Sequence, residues 1–132
     1  MQHQSLADVA ERHGIVLVVQ FGSSVTGAVH SRSDTDLAVL LADPDVSLVR
    51  LAELGDDLHA VIPNRPVDVA IINRADPLFL KKILETGRLL YGSERRFQEL
   101  KCYAFRRYQD HRKYLRLERD YVRRAMGAPV AS

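Results

Sequence analysis

The chain of 132 residues carries 19 Lys plus Arg against 17 Asp plus Glu, a formal net charge of +2. That length suits one domain with a real hydrophobic core, and 46% apolar with 27% charged residues excludes a disordered or collagen-like chain. No apolar run reaches the roughly 18 residues that cross a bilayer, no basic-then-apolar leader follows Met1, and a lone cysteine, Cys102, excludes an internal disulfide framework. A cytoplasmic protein with no membrane partner is expected. The small net charge hides an asymmetry. Residues 1–92 hold 8 cationic and 12 acidic side chains, a balance of −4, whereas residues 93–132 hold 11 and 5, a balance of +6.

Ser5 to His13 reads as an opening helix, capped by Ser5 with Asp8 three residues on and stopped by Gly14. Ile15 to Val19 is a β-branched run of strand length, of the kind buried on both faces, and Gly22-Ser23-Ser24 breaks it. A second strand spans Thr35 to Leu41. Ser47 to Ala60 carries Leu48, Leu51, Leu54 and Leu58 at helical spacing, with Gly55 in its middle. Val67 to Ile72 forms a third strand. Asp76-Pro77 has the chemistry of a helix start, and that helix ends at Gly87. Ser93 caps a last helix reaching Met126, whose apolar positions Phe97, Leu100, Ala104, Tyr108, Leu115 and Val122 recur three to seven residues apart. Strands alternating with helices predict an α/β (α+β) chain: a small mixed sheet, flanking helices and a long C-terminal helix. The expected organisation is one domain over 1–132, with a core at about 14–92 and a basic helix at about 93–126.

Three carboxylates fall where chemistry can use them. Asp34 and Asp36 are two apart at the start of a strand, so both side chains leave one face. Asp68 sits inside the third strand between Val67 and Val69, where aspartate is depleted. If the two strands are neighbours, the three converge, and hard oxygen ligands of that kind suit Mg²⁺ shared with substrate phosphates. Phe21-Gly22-Ser23 closes the first strand; glycine admits close backbone approach to a phosphate and Ser23 adds a hydroxyl. The whole reads Gly-Ser-x10-Asp-x-Asp. An anion cradle beside carboxylate-bound metal is what a nucleoside triphosphate requires.

Gly22-Ser23, Asp34-Thr35-Asp36-Leu37-Ala38-Val39 and Val67-Asp68-Val69, with Gly27 and with Ser33 before the first aspartate, resemble the DNA polymerase beta-like nucleotidyltransferase superfamily. The short length resembles the minimal nucleotidyltransferases, the MNT antitoxins of HEPN/MNT toxin–antitoxin pairs. The resemblance covers about residues 14–73. It implies a nucleotidyltransferase fold and two Mg²⁺ ions held by Asp34, Asp36 and Asp68. Those three are thereby the catalytic set, Gly22, Ser23 and Ser33 bind the nucleotide, and ATP is the substrate. It further implies transfer of AMP to a tyrosine of a HEPN ribonuclease toxin, in a hetero-oligomer. Members often carry a basic residue soon after the Gly-Ser pair; here the stretch is Ser24-Val25-Thr26, which leaves the triphosphate to Arg32 or a helix-borne arginine. Two alternatives stay open: an inactive antitoxin that neutralises by occlusion, and a small-molecule adenylyltransferase of the aminoglycoside type, for which the chain offers little acceptor pocket.

The remaining features read more plainly. Arg106 to His111 imitates an Arg-x4-His ribonuclease spacing, which an arginine-rich helix produces easily. Arg106 to Arg124 reads instead as a solvated or partner-facing surface with Tyr103, Tyr108, Tyr114 and Tyr121 packed along it, and direct nucleic-acid binding is not expected. His13, His30 and His59 lack zinc-ligand spacing. Cys102 is expected to pack on the long helix, and Lys81-Lys82 to face solvent.

Overall fold

The computed structural model describes residues 5–22, 35–62 and 66–127. In chain order they form α1 (Leu6–His13), β1 (Ile15–Phe21), β2 (Thr35–Leu41), α2 (Leu48–Val61), β3 (Val67–Ile71), α3 (Pro77–Thr86), β4 (Arg88–Tyr91) and α4 (Glu94–Ala125). The strands make one mixed sheet ordered β3-β2-β1-β4. β1 runs antiparallel to both of its neighbours, while β2 and β3 are parallel, a pairing that needs a crossover, here α2.

Local chemistry sets most boundaries. Ser5 and Asp8 form a reciprocal capping box, and Gly14 closes α1 at φ 65°. Ser47 and Ser93 accept from the N–H groups of Arg50 and Arg96, and Asp76 accepts from Leu78 and Phe79 with Pro77 at the first helical position. α2 runs unbroken through Gly55, because burial of Leu54 and Leu58 outweighs a glycine cost of about 1 kcal/mol.

Each face of the sheet has its own core. Leu37, Val39 and Leu41 pack with Val9, Ala10, Leu54 and Leu58 under α1 and α2. Ala38 packs with Leu17, Val19, Ile72, Leu80, Ile83, Leu84, Phe97 and Ala104 under α3 and α4. Alternation along β1 sends Val18 to the first core and Leu17 and Val19 to the second, and a bulge between Ile15 and Leu17 turns Ile15 to the first as well. β1 is therefore buried on both faces, as its composition requires.

The structure departs from the sequence reading in several places. β4 has no counterpart there; Leu89 and Tyr91 become a strand by pairing with β1. The apolar stripe of α4 is buried only at Phe97 and Ala104, whereas Leu115 is 49% and Val122 45% exposed. At ~1.5 Å rise per residue, a helix of 32 residues is roughly 48 Å long and overshoots the body it packs on. Tyr114 and Tyr121 are exposed for the same reason, whereas Tyr103 and Cys102, next to the buried Ala104, are exposed because they lie off the face that packs on the body. Lys81 does not simply face solvent: it pairs with Glu85 at 2.8 Å and lies 4.7 Å from the Tyr108 ring centroid.

One polar cluster ties α1 to α2. His13, its side chain 4% exposed, donates from Nε2 to Asp57 Oδ2 at 2.7 Å, and Arg12 reaches the same oxygen at 3.1 Å. The His13 bond, with help from Arg12, holds the Asp57 carboxyl below its ordinary range.

Candidate functional site

β1 ends, and β2 and β3 begin, at the same end of the sheet. Phe21 is the register partner of Asp36, and Asp36 is the register partner of Asp68. The Thr35 N–H donates to the Pro66 carbonyl at 2.8 Å, which pins the starts of β2 and β3 together. Alternation along β2 sends Leu37 and Val39 into the core under α1 and α2, so Asp36 and Ala38 leave by the opposite face. Val67, Val69 and Ile71 likewise pack toward α2, which turns Asp68 to the face that Asp36 occupies. Two carboxylates thus stand side by side on neighbouring strands.

Gly22 lies against this pair. It has φ 83°, a left-handed conformation that suits glycine, and a Cβ built on it would overlap Asp36 Oδ2 and lie 3.3 Å from Asp36 Cγ. The turn after β1 therefore brings bare backbone onto the carboxylate of β2. Any side chain at position 22 would occupy the space in which Asp36 meets the main chain.

The expected site residues divide cleanly. Gly22, Asp36 and Asp68 come together; Asp34, Ser23 and Ser33 lie outside the described residues. Asp36 is half-buried and Asp68 is exposed, although a solvated aspartate between Val67 and Val69 is unusual in a strand. Exposure follows from topology, because β3 is an edge strand and Asp68 stands near its beginning. Among the described residues no three His, Cys, Asp or Glu side chains form a metal-binding group. The donor set nevertheless fits a hard cation. Like charges directly across a strand pair destabilise a sheet, and a divalent ion on carboxylate oxygens offsets that repulsion.

An aromatic contact invisible in the sequence links the site to α3. The rings of Phe21 and Phe79 meet edge to face with centroids 6.0 Å apart. Phe79 follows Leu78, which lines a cleft of about 540 Å³ between the first turn of α3 and the middle of α4, with Tyr108, His111, Arg112, Leu115, Arg116 and Arg119 on the α4 side. No helix among the described residues is long and apolar enough to cross a membrane.

Known proteins share the fold. None of the curated proteins matches the chain in sequence. Among solved structures, a chain of a toxin–antitoxin crystallised with AMP-PNP is 22% identical, with a TM-score of 0.70 over 97% of this chain and all of that one. A structure of a tri-AMPylated Shewanella oneidensis HEPN toxin in complex with MNT antitoxin gives 22% identity and a TM-score of 0.62, covering 93% of each chain. The MntA–HepT toxin–antitoxin gives 21% and 0.62, covering 93% of this chain and 94% of that one. At these identities the likeness establishes the fold. The family model described as polymerase beta, nucleotidyltransferase matches residues 4–96, a span that begins before α1 and ends after β4. Most of the chain, including the sheet end where Gly22, Asp36 and Asp68 meet, falls under that model, and the chain belongs to the polymerase beta nucleotidyltransferase family.

Proposed function

We propose that this chain is an MNT antitoxin that transfers AMP from ATP to a tyrosine hydroxyl of a HEPN toxin, with Asp34, Asp36 and Asp68 holding two Mg²⁺ ions. The observation that carries the reading is the Asp36–Asp68 register pair with Gly22 backbone packed against Asp36. Support for the nucleotide and the partner comes from the full-length likeness to toxin–antitoxin chains, one with AMP-PNP and one beside an AMPylated HEPN toxin.

In this reading the acceptor oxygen bonds to the α-phosphorus of ATP, the bond from that phosphorus to the bridging oxygen breaks, and pyrophosphate leaves. The ions, when bound, stabilise charge on the attacking and leaving oxygens. Asp68, exposed at the sheet edge, is the carboxylate that an incoming hydroxyl can reach, and it receives the hydroxyl proton. Asp36, held between β1 and β3, fixes the site's position relative to the sheet, with Asp34 completing the set. The backbone at Gly22, with Ser23 and Ser33, orients the β- and γ-phosphates. Added AMP neutralises the toxin by placing bulk and negative charge where RNA must bind.

The test is incubation with α-labelled ATP, Mg²⁺ and purified HEPN partner. Label on the partner that is lost in Asp36→Ala, with the fold intact, is the expected result. A tight complex without label replaces transfer by occlusion.

A further inference from the structure

We infer that the groove between the first turn of α3 and the distal half of α4 is a docking site for an acidic amphipathic helix of the partner protein. The inference rests on the antitoxin reading above and adds the surface through which the partner is held. The floor of the groove is apolar, with Leu78 44% and Leu115 49% exposed, and Val122, 45% exposed, extends the same helix stripe beyond it. Leu115 and Val122 are seven residues apart, two helical turns, on the same stripe as the buried Phe97 and Ala104. The proximal part of that stripe is covered by the body, and its distal part continues into solvent unchanged. A helix laid along it would meet the spacing by which helices pack.

One wall is cationic. Arg112, Arg116 and Arg119 line the cleft beside Leu115, and among the described residues none of the three forms an ion pair, although Arg95 and Lys81 pair with carboxylates four residues on. The one acid in the cleft, Asp76, is committed to capping α3. Over residues 106–124 there are 8 Lys and Arg against 3 Asp and Glu. A second copy packed helix to helix about a two-fold axis would oppose the same cations to one another, so charge selects a different, acidic chain. The exposed leucine and valine separate this from a phosphate-binding surface, whose contacts come from cations and hydrogen-bond donors and make no use of aliphatic side chains.

The experiment uses the full chain and a purified HEPN partner, with complex formation followed by calorimetry. Two variants are compared with the parent, Leu115→Asp/Val122→Asp and Arg112→Glu/Arg116→Glu/Arg119→Glu, each checked by circular dichroism. Each is expected to weaken binding at least tenfold, and a photo-crosslinking residue at position 115 is expected to join an acidic helical peptide of the partner. A partner that binds both variants as tightly as the parent overturns the docking site while leaving the antitoxin reading intact. No complex with the parent chain overturns both. Two further outcomes overturn the assignment: a dimer of the lone chain that Leu115→Asp/Val122→Asp dissolves, and RNA binding that only the arginine variant abolishes.

Discussion

Gly22→Ala probes how the site is built. Its φ of 83° costs an alanine about 1–2 kcal/mol, of which the stiffer unfolded chain returns about 0.4–1, leaving roughly 1 kcal/mol. The new methyl group would also overlap Asp36 Oδ2. Relief requires the carboxylate to rotate or shift by on the order of 1 Å, at about 0.5–1.5 kcal/mol for the displaced rotamer. The variant should therefore lose about 2 kcal/mol by urea denaturation yet stay folded. A displacement of that size at a reacting centre costs on the order of 100-fold in rate, so labelled AMP transfer should fall far more than stability. Adding Asp36→Ala removes the overlap, and the double variant should recover about half of the Gly22→Ala stability loss. The reasoning fails if Gly22→Ala transfers AMP at the parent rate, or if the two stability effects simply add.

Other perturbations test other parts. Asn73 accepts from the Leu41 N–H at 2.9 Å and donates to its carbonyl at 2.7 Å; Asn73→Ala should cost about 1–3 kcal/mol by urea denaturation, without loss of helix content. Asp57 has its carboxyl lowered in the folded chain, so its stabilisation is present above the unfolded value near 3.8 and is lost as pH falls through the folded one. Asp57→Asn should therefore be less stable than the parent at pH 7, and the gap should narrow as the pH is lowered below 3.8; a gap that stays constant throughout an acid titration would contradict this. Mg²⁺ at 100 times its dissociation constant should stabilise the parent by about 2.7 kcal/mol, read as a rise in Tm, and should do much less for Asp36→Asn. Equal rises in the two would place the ion elsewhere.

The helix starts were legible because their caps are local: Ser5 with Asp8, Ser47, Asp76-Pro77 and Ser93 each act within three residues. Asp36 and Asp68 could be singled out as unusual strand positions, but their pairing depends on β2 and β3 being neighbours in register, a property of the whole sheet. β4 was hidden because Arg88-Leu89-Leu90-Tyr91 has no β-branched residue, and only the free edge of β1 makes it a strand. The periodicity of α4 was read correctly and its burial was not, since a repeating pattern carries no mark of where the body beneath it ends. Nothing in the sequence announces the Phe21–Phe79 contact, which joins segments 58 residues apart.

The placement of Asp68 on an edge strand has a dynamic consequence. β3 is five residues long and, among the described residues, pairs with a strand on one side only, so it can open without disturbing the ladder between β1 and β2. Such openings lie at the low end of a protein's range of local stabilities. Each would carry Asp68 away from Asp36 and dissolve the carboxylate pair while the rest of the sheet stood. A cation that bridges the two strands would act as a clasp on β3, and amide hydrogen exchange at Val69 and Ile71 would slow when it binds.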